Sequence, residues 1–157
     1  MAGLEEVISQ SLRAMSHPIL LYDGVCGLCN RLVRFVLRRD PAGAFRFAAL
    51  QSPLAERILA RHGLNAEDLD TLYVVVNAEQ AEEILLPRSD AVIFILRRLE
   101  GAGKSFWRMS GFLLQLVPRP VRDWGYGEVA RTRYRMFGRY DACPVPTEQT
   151  RSRFLDP

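Results

Sequence analysis

In this chain of 157 residues, the best candidates for chemistry are Cys26 and Cys29, which are separated by two residues. Cysteines at i and i+3 lie on one side of a helical turn, about 5–6 Å apart at Cβ. A disulfide needs about 3.5–4.5 Å between its Cβ atoms. That gap closes where the first turn is loose, at a helix N-terminus. The pair therefore indicates a redox-active disulfide, a metal site or an inert structural pair at such a terminus.

The predicted position of the pair also favours reactivity. A free thiol with a pKa of about 8.5 is only ~3% thiolate at pH 7, and lowering that pKa by two units takes about 2.7 kcal/mol. A helix N-terminus supplies roughly 0.3–2 kcal/mol, so the amides of Leu28 and Cys29 are expected to add hydrogen bonds to the Cys26 sulfur. We predict that Cys26, as the more exposed sulfur, is the nucleophile and that Cys29 resolves the mixed disulfide.

Asp23, three residues before Cys26 at the end of a predicted strand, is the third candidate. A partly buried carboxylate at this position can accept the Cys29 proton when that thiol attacks. It can equally bind the amides of the turn, as aspartate often does. The two roles have opposite consequences for Cys26, because a carboxylate close to the sulfurs raises the pKa of a thiol. Both interpretations stay open.

The elements that position these residues alternate strand and helix. Hydrophobic patterning predicts four strands, over residues 19–22, 45–50, 71–76 and 82–86. It predicts three helices, over residues 26–39, 53–62 and 90–100. The first two strand–helix units are β-α-β-like, so the first strands are expected to be parallel, and the last two strands form a hairpin. The predicted fold class is α/β, with a four-stranded mixed sheet and helices on both faces.

Capping residues indicate where several of these helices begin and end. Ser52 followed by Pro53 is typical of a helix start, and Gly63 is typical of a left-handed helix end. Ser89 is predicted to cap the third helix, with Asp90 near the positive end of the helix dipole.

After Gly103 the sequence becomes helical without further strands. Residues 106–117 and 120–138 predict two helices, and residues 139–157 predict irregular structure. We interpret residues 1–157 as a single domain with a core at 18–103 and a helical extension at 104–157 packed on it. The extension has a set of apolar side chains that are expected to pack in the core: Phe106, Trp107, Phe112 and Leu113.

Composition restricts the class of protein. Apolar residues make up 48% of the chain and charged residues 25%, which is typical of a soluble globular protein. No uncharged apolar stretch reaches the length of about 18 residues that a membrane-spanning helix needs. Residues 1–17 lack a basic start followed by an apolar run, so no secretory signal is predicted. A cytoplasmic location is expected, where a close cysteine pair is more often catalytic or metal-binding than structural.

Charge is distributed unevenly along the chain. Residues 101–157 hold 10 Lys and Arg residues against 5 Asp and Glu residues, a formal charge of +5. We interpret this as a solvated arginine-rich surface, and no nucleic-acid partner is predicted.

The segment Asp23-Gly24-Val25-Cys26-Gly27-Leu28-Cys29-Asn30 resembles the signature of the DCC family of predicted thiol–disulfide oxidoreductases, which is named for its Asp and two Cys. The resemblance spans roughly residues 19–155. Its further segments are Arg88-Ser89-Asp90-Ala91, residues 117–123, residues 131–138, Cys143 and Arg153-Phe154-Leu155. It implies a thioredoxin-like core with Asp23, Cys26 and Cys29 as the redox site. Thioredoxins usually place a cis-proline opposite the cysteines, at the start of the third core strand, whereas residues 69–72 contain no proline and Thr71 stands there.

The leading hypothesis is therefore a thiol–disulfide oxidoreductase that needs no organic cofactor. Its expected partner is a disulfide-containing protein or a small thiol. Thr71 is a supporting candidate beside the cysteines. Ser89 and Asp90 are best interpreted as a helix start, with a position beside the site as the second interpretation.

Two alternatives remain. A structural zinc site needs four ligands, and Cys26, Cys29 and Cys143 with His17 or His62 would supply them. A non-catalytic binding module would use the basic C-terminal third to contact an anionic membrane or nucleic acid, with Phe106, Trp107, Phe112 and Leu113 as its apolar face.

Overall fold

The computed structural model describes residues 3–4, 17–65, 67, 70–78, 80–141 and 146–155. Along these residues the predicted order of elements is confirmed. The strands are β1 (Ile19–Tyr22), β2 (Arg46–Ala49), β3 (Tyr73–Val76) and β4 (Ile84–Pro87). The helices are α1 (Gly27–Arg39), α2 (Pro53–Arg61), α3 (Arg88–Arg98), α4 (Lys104–Leu116) and α5 (Arg119–Phe137).

The strands form one mixed sheet in the order β2-β1-β3-β4. β1 and β2 are parallel, as predicted, and β3 and β4 form the predicted antiparallel hairpin. The second strand–helix unit was also expected to be β-α-β-like, and this is wrong, because β3 runs antiparallel to β1.

Helices cover both faces of the sheet, which confirms the predicted layers. Leu20, Phe47 and Val74 point to the face covered by α1 and α3. Their neighbours along the strands, such as Leu21 and Val75, point to the face covered by α2. Burying each such side chain stabilises the fold by roughly 1.5–3 kcal/mol. The arrangement is a thioredoxin-like α/β core followed by C-terminal helices.

Two helix starts were predicted from capping residues, and one of them is correct. Ser52 caps α2 by accepting a hydrogen bond from the Ala55 amide at 3.2 Å. Gly63 after α2 has the predicted left-handed conformation, with φ of +69°. Ser89 does not cap α3, which already begins at Arg88. Its hydroxyl donates instead to a carboxylate of α5, so it does not serve the helix terminus.

α4 packs along α3 through a glycine. A Cβ atom on Gly111 would lie 2.8 Å from Cγ of Arg97, so the close approach of the two helices requires a residue without a side chain. Trp107 packs edge-on against Phe35, with ring centroids 4.9 Å apart.

The three other side chains of α4 that were expected in the core are exposed, so that expectation is wrong. Phe106 is 65% exposed, Phe112 49% and Leu113 56%, because they lie on faces of α4 that α3 does not cover. The division at residues 103/104 into core and extension stays a prediction. None of the helices in the described part of the chain combines the length and hydropathy that crossing a bilayer requires.

Candidate active site

The cysteine pair lies at the start of α1, directly after β1 and the Asp-Gly turn. Cys26 precedes the first helical residue in an extended conformation. Its sulfur accepts a hydrogen bond from the Cys29 amide at 3.3 Å. Both cysteines are free thiols. The strand–turn–helix pattern therefore predicted the local structure correctly.

The surroundings of the two sulfurs move their pKa values in opposite directions. The pKa of Cys26 is lowered to about 6, chiefly by a hydrogen bond from the Cys29 thiol. Burial opposes this shift, while the amides of Cys29 and Leu28 and the charge of Arg133 add to it. The pKa of Cys29 is raised by the same thiol–thiol hydrogen bond and by burial. The negative charge of the pair is therefore held on Cys26.

The two cysteines also differ in accessibility, and here the prediction is wrong. Cys26 was expected to be the more exposed sulfur, but the residue is 0% exposed, whereas Cys29 is partly exposed. Residues 138–140, which follow α5, pair with Cys26 as an isolated antiparallel bridge through Arg139. We call residues 138–140 the strap. No local pattern around the cysteines predicts a cover that comes from the C-terminal end of the chain.

Backbone hydrogen bonds hold the strap over the pair. The Gly27 amide donates to the Gly138 carbonyl at 3.1 Å, and the Tyr140 amide donates to the Val25 carbonyl at 2.7 Å. A Cβ atom on Gly27 would lie 2.0 Å from the carbonyl oxygen of Phe137. The glycine between the cysteines is therefore required for the strap to approach this closely.

Asp23 is buried beneath the turn, and donors surround both of its carboxylate oxygens. Oδ1 accepts hydrogen bonds from the Val25 amide at 3.1 Å and from Nε2 of Gln51 at 2.8 Å. Oδ2 accepts from the Tyr134 hydroxyl and lies 3.2 Å from Nη2 of Arg133. The interpretation of Asp23 as a turn-binding residue agrees with these contacts. Its role as a proton acceptor stays a prediction.

Arg133 is a residue of this site that the sequence did not indicate. Its side chain is only 4% exposed and forms ion pairs with Asp23 at 3.2 Å and with Asp70 at 3.1 Å. Its Nε has no hydrogen-bond partner among the described residues. It brings a buried positive charge to the cysteine pair from α5. Its place in the segment 131–138 of the resemblance was the available signal, because one arginine among many carries no distinguishing spacing.

Asn30 and Gln51 fix the turn and were also missed. Nδ2 of Asn30 donates to the carbonyls of Gly24 at 2.8 Å and Cys26 at 2.9 Å. Oε1 of Gln51 accepts from the Gly24 amide at 3.1 Å. The available signal for Asn30 was its place in the segment of the resemblance that begins at Asp23.

The supporting candidates Ser89 and Asp90 bind α5. Ser89 Oγ donates to Oδ1 of Asp123 at 2.5 Å. Asp90 forms ion pairs with Arg119 at 2.9 Å and Arg122 at 3.1 Å. These contacts join the second segment of the resemblance to the segment at residues 117–123.

An apolar pocket of about 520 Å³ adjoins Cys29 between α1, α3, α4 and α5. Cys29 lies on its wall and Cys26 does not. We call it the Cys29 pocket. Its other wall residues are mostly aliphatic, including Leu28, Leu32, Leu72, Val92, Leu114 and Val121. The volume is within the range typical of small-molecule sites. Thr71, the third supporting candidate, is buried next to the wall residue Leu72.

The predicted zinc ligands are not brought together in the part of the chain that the structure describes. Among those residues no group of three or more His, Cys, Asp or Glu side chains is placed to hold a metal ion. Cys143 lies outside the described residues. His62 is hydrogen-bonded to Glu83 at 2.8 Å.

Comparison with known proteins agrees with the resemblance. The family described as DCC1-like thiol-disulfide oxidoreductase matches residues 20–139. The uncharacterized protein YuxK of Bacillus subtilis is 36% identical over 139 residues, which cover 88% of this chain and 94% of that protein. A DCC family protein of Arabidopsis thaliana, named as chloroplastic, is 39% identical over 129 residues, or 82% of this chain and 70% of its own. No solved structure matches. The cytoplasmic location expected for this chain stays a prediction.

Proposed function

Because the chain belongs to the DCC1-like thiol-disulfide oxidoreductase family, we propose that it catalyses thiol–disulfide exchange through Cys26 and Cys29. The observation that carries the proposal is the position of Cys26 at the start of α1, where its sulfur accepts a hydrogen bond from the Cys29 amide at 3.3 Å and its pKa is lowered to about 6. A sulfur with that pKa is about nine-tenths thiolate at pH 7, against ~3% for an ordinary thiol.

The accessibility of the sulfurs supports an order of events that differs from the one the sequence favoured. In the disulfide form, a substrate thiolate attacks the sulfur of Cys29, which is the partly exposed residue of the pair. The Cys26–Cys29 bond breaks, a substrate–Cys29 bond forms, and the electron pair leaves on Cys26. Cys26 is the better leaving group, because a thiol with a lower pKa leaves faster.

A second substrate thiolate then completes the exchange. It attacks the substrate sulfur of the mixed disulfide, which releases the substrate disulfide and leaves Cys29 to take up a proton. Two substrate thiols are oxidised and one enzyme disulfide is reduced. In the opposite direction the Cys26 thiolate attacks the Cys29 sulfur of the mixed disulfide, so Cys26 is the resolving nucleophile.

Asp23 and Arg133 are proposed as positioning residues. Their ion pair is buried, and Arg133 adds positive charge beside the sulfurs that favours the Cys26 thiolate. Asp23 in turn neutralises Arg133 and holds the turn that presents the pair. A carboxylate with a donor at each oxygen is suited to orient this arginine.

The test is turnover with a peptide disulfide, combined with trapping of the mixed disulfide. Cys26→Ser and Cys29→Ser should each abolish turnover, while Cys143→Ser should retain it. Mass spectrometry should find the trapped substrate on Cys29 in the Cys26→Ser protein. Substrate trapped only on Cys26, in the Cys29→Ser protein, would instead support the order predicted from sequence. Wild-type turnover equal to the uncatalysed rate would overturn the proposed function.

A further inference from the structure

The Cys29 pocket offers apolar surface and little unbalanced charge. Most of its wall is aliphatic. Its two arginines already have carboxylate partners, since Arg122 is paired with Asp90 and Arg133 with Asp23. An occupant therefore gains free energy mainly by burying apolar surface, which contributes about 0.8 kcal/mol for each CH₂ group.

The backbone of Leu72, beside the pocket, is not available to an extended peptide. The amide of Leu72, just before β3, donates to the hydroxyl of Tyr126 at 2.8 Å. The carbonyl of Leu72 accepts from the Arg88 amide at 2.9 Å. A peptide that adds to a strand needs free backbone groups at the edge. These contacts favour a small molecule over a polypeptide as the occupant.

A glycine in the wall keeps the pocket open. Gly125 lies inside α5 and lines the pocket, and a Cβ atom built on it meets no atom within 4 Å. Glycine in a helix interior costs about 1 kcal/mol relative to alanine. This unfavourable residue stands at position 125, where a larger side chain would project into the empty space of the pocket.

We propose that the Cys29 pocket binds the apolar body of a small thiol or disulfide whose sulfur reacts with Cys29. The inference rests on the proposed function and names its substrate class. The substrate thiolate attacks the Cys29 sulfur of the enzyme disulfide, and Cys26 leaves as described above. The aliphatic chain stays buried between α1 and α5 during this step.

Straight-chain thiols from ethanethiol to hexanethiol are the probes. The second-order rate constant for reduction of the Cys26–Cys29 disulfide should rise about fourfold with each added methylene, the factor that corresponds to about 0.8 kcal/mol. To correct for the intrinsic reactivity of each thiol, its rate constant is divided by the rate constant of the same thiol with glutathione disulfide. Thiols that carry a terminal hydroxyl in place of the last methyl group should react more slowly than their isosteres.

Two glycines of α5 provide a matched pair of variants. Gly125→Leu places four carbons in the pocket and should abolish the dependence on chain length. Gly127→Leu adds the same side chain to the same helix, also into open space, but Gly127 does not line the pocket. It should keep the wild-type dependence, and circular dichroism should show that both variants are folded.

The outcomes separate the two proposals. If the enzyme disulfide reacts with short polar thiols but shows no dependence on chain length, the pocket inference is overturned and the proposed function stands. Equal loss of the dependence in both variants would also overturn the pocket. If the disulfide reacts with no thiol faster than glutathione disulfide does, the proposed function itself fails.

Discussion

Replacing Cys29 by alanine removes the thiol that donates to the Cys26 sulfur, and we expect the pKa of Cys26 to rise. This hydrogen bond is the largest contribution to the lowered pKa of about 6. A hydrogen bond to a charged group contributes roughly 1.5–3 kcal/mol, and one pKa unit corresponds to about 1.36 kcal/mol. The expected rise is therefore about 1–2 units.

The ultraviolet absorbance of the thiolate is the appropriate readout, because it does not depend on access to a buried sulfur. The titration is carried out in a Cys143→Ser background, so that only the pair contributes. Cys29→Ser is the matched control, since its hydroxyl retains a donor and should give a smaller rise than alanine. Arg133→Met should raise the pKa as well, by less than Cys29→Ala.

The reasoning is refuted by either of two results. A wild-type titration midpoint near the ordinary value of about 8.5 would mean that the pair does not hold a thiolate. An unchanged midpoint in Cys29→Ala would mean that the thiol–thiol hydrogen bond does not cause the shift.

Three further predictions concern stability. Asp23→Asn should lower the free energy of unfolding by about 3–5 kcal/mol, because it breaks a buried ion pair with Arg133; Asp70→Asn removes the exposed partner of the same arginine and should cost less than about 1 kcal/mol. Urea titrations measure both, and equal losses would contradict the assignment. Gly27→Ala should cost about 1–3 kcal/mol through overpacking and should increase the alkylation rate of Cys26 by displacing the strap; a stabilised variant with an unreactive Cys26 would contradict this. The free energy of unfolding of the reduced protein should rise relative to that of Cys26→Ser between pH of about 6 and about 8.5, by up to about 1.4 kcal/mol per pH unit. The reason is that the lowered pKa of Cys26 contributes stability that is lost as pH falls through about 6. A difference in unfolding free energy that does not change with pH would contradict this prediction.

Local sequence patterns predicted the strand–turn–helix unit well. The apolar run at residues 19–22, the turn after it and the helical spacing from Cys26 all depend on neighbouring residues, so they can be recognised without knowledge of the fold. The Ser52 cap and the Gly63 helix end belong to the same class.

Contacts between distant segments could not be predicted in this way. The strap covers Cys26, and Arg133 reaches the cysteine pair, only because α5 packs against α1. The residues near the cysteines do not indicate that contact. The same cause explains the error at Ser89. Its pattern is that of a helix cap, but its hydroxyl is taken by Asp123 of α5. Tertiary contacts thus decided the accessibility of the sulfurs, which local patterning predicted wrongly.

Equilibration of the protein with glutathione redox buffers, followed by peptide mapping, tests the central claim most directly. We predict a reversible two-electron transition that links Cys26 to Cys29. Because the Cys26 thiolate stabilises the reduced form, the potential should be less negative than the value of about −270 mV for thioredoxin, whose cysteine has a pKa near 7. If no ratio of reduced to oxidised glutathione forms a Cys26–Cys29 disulfide, the account is contradicted.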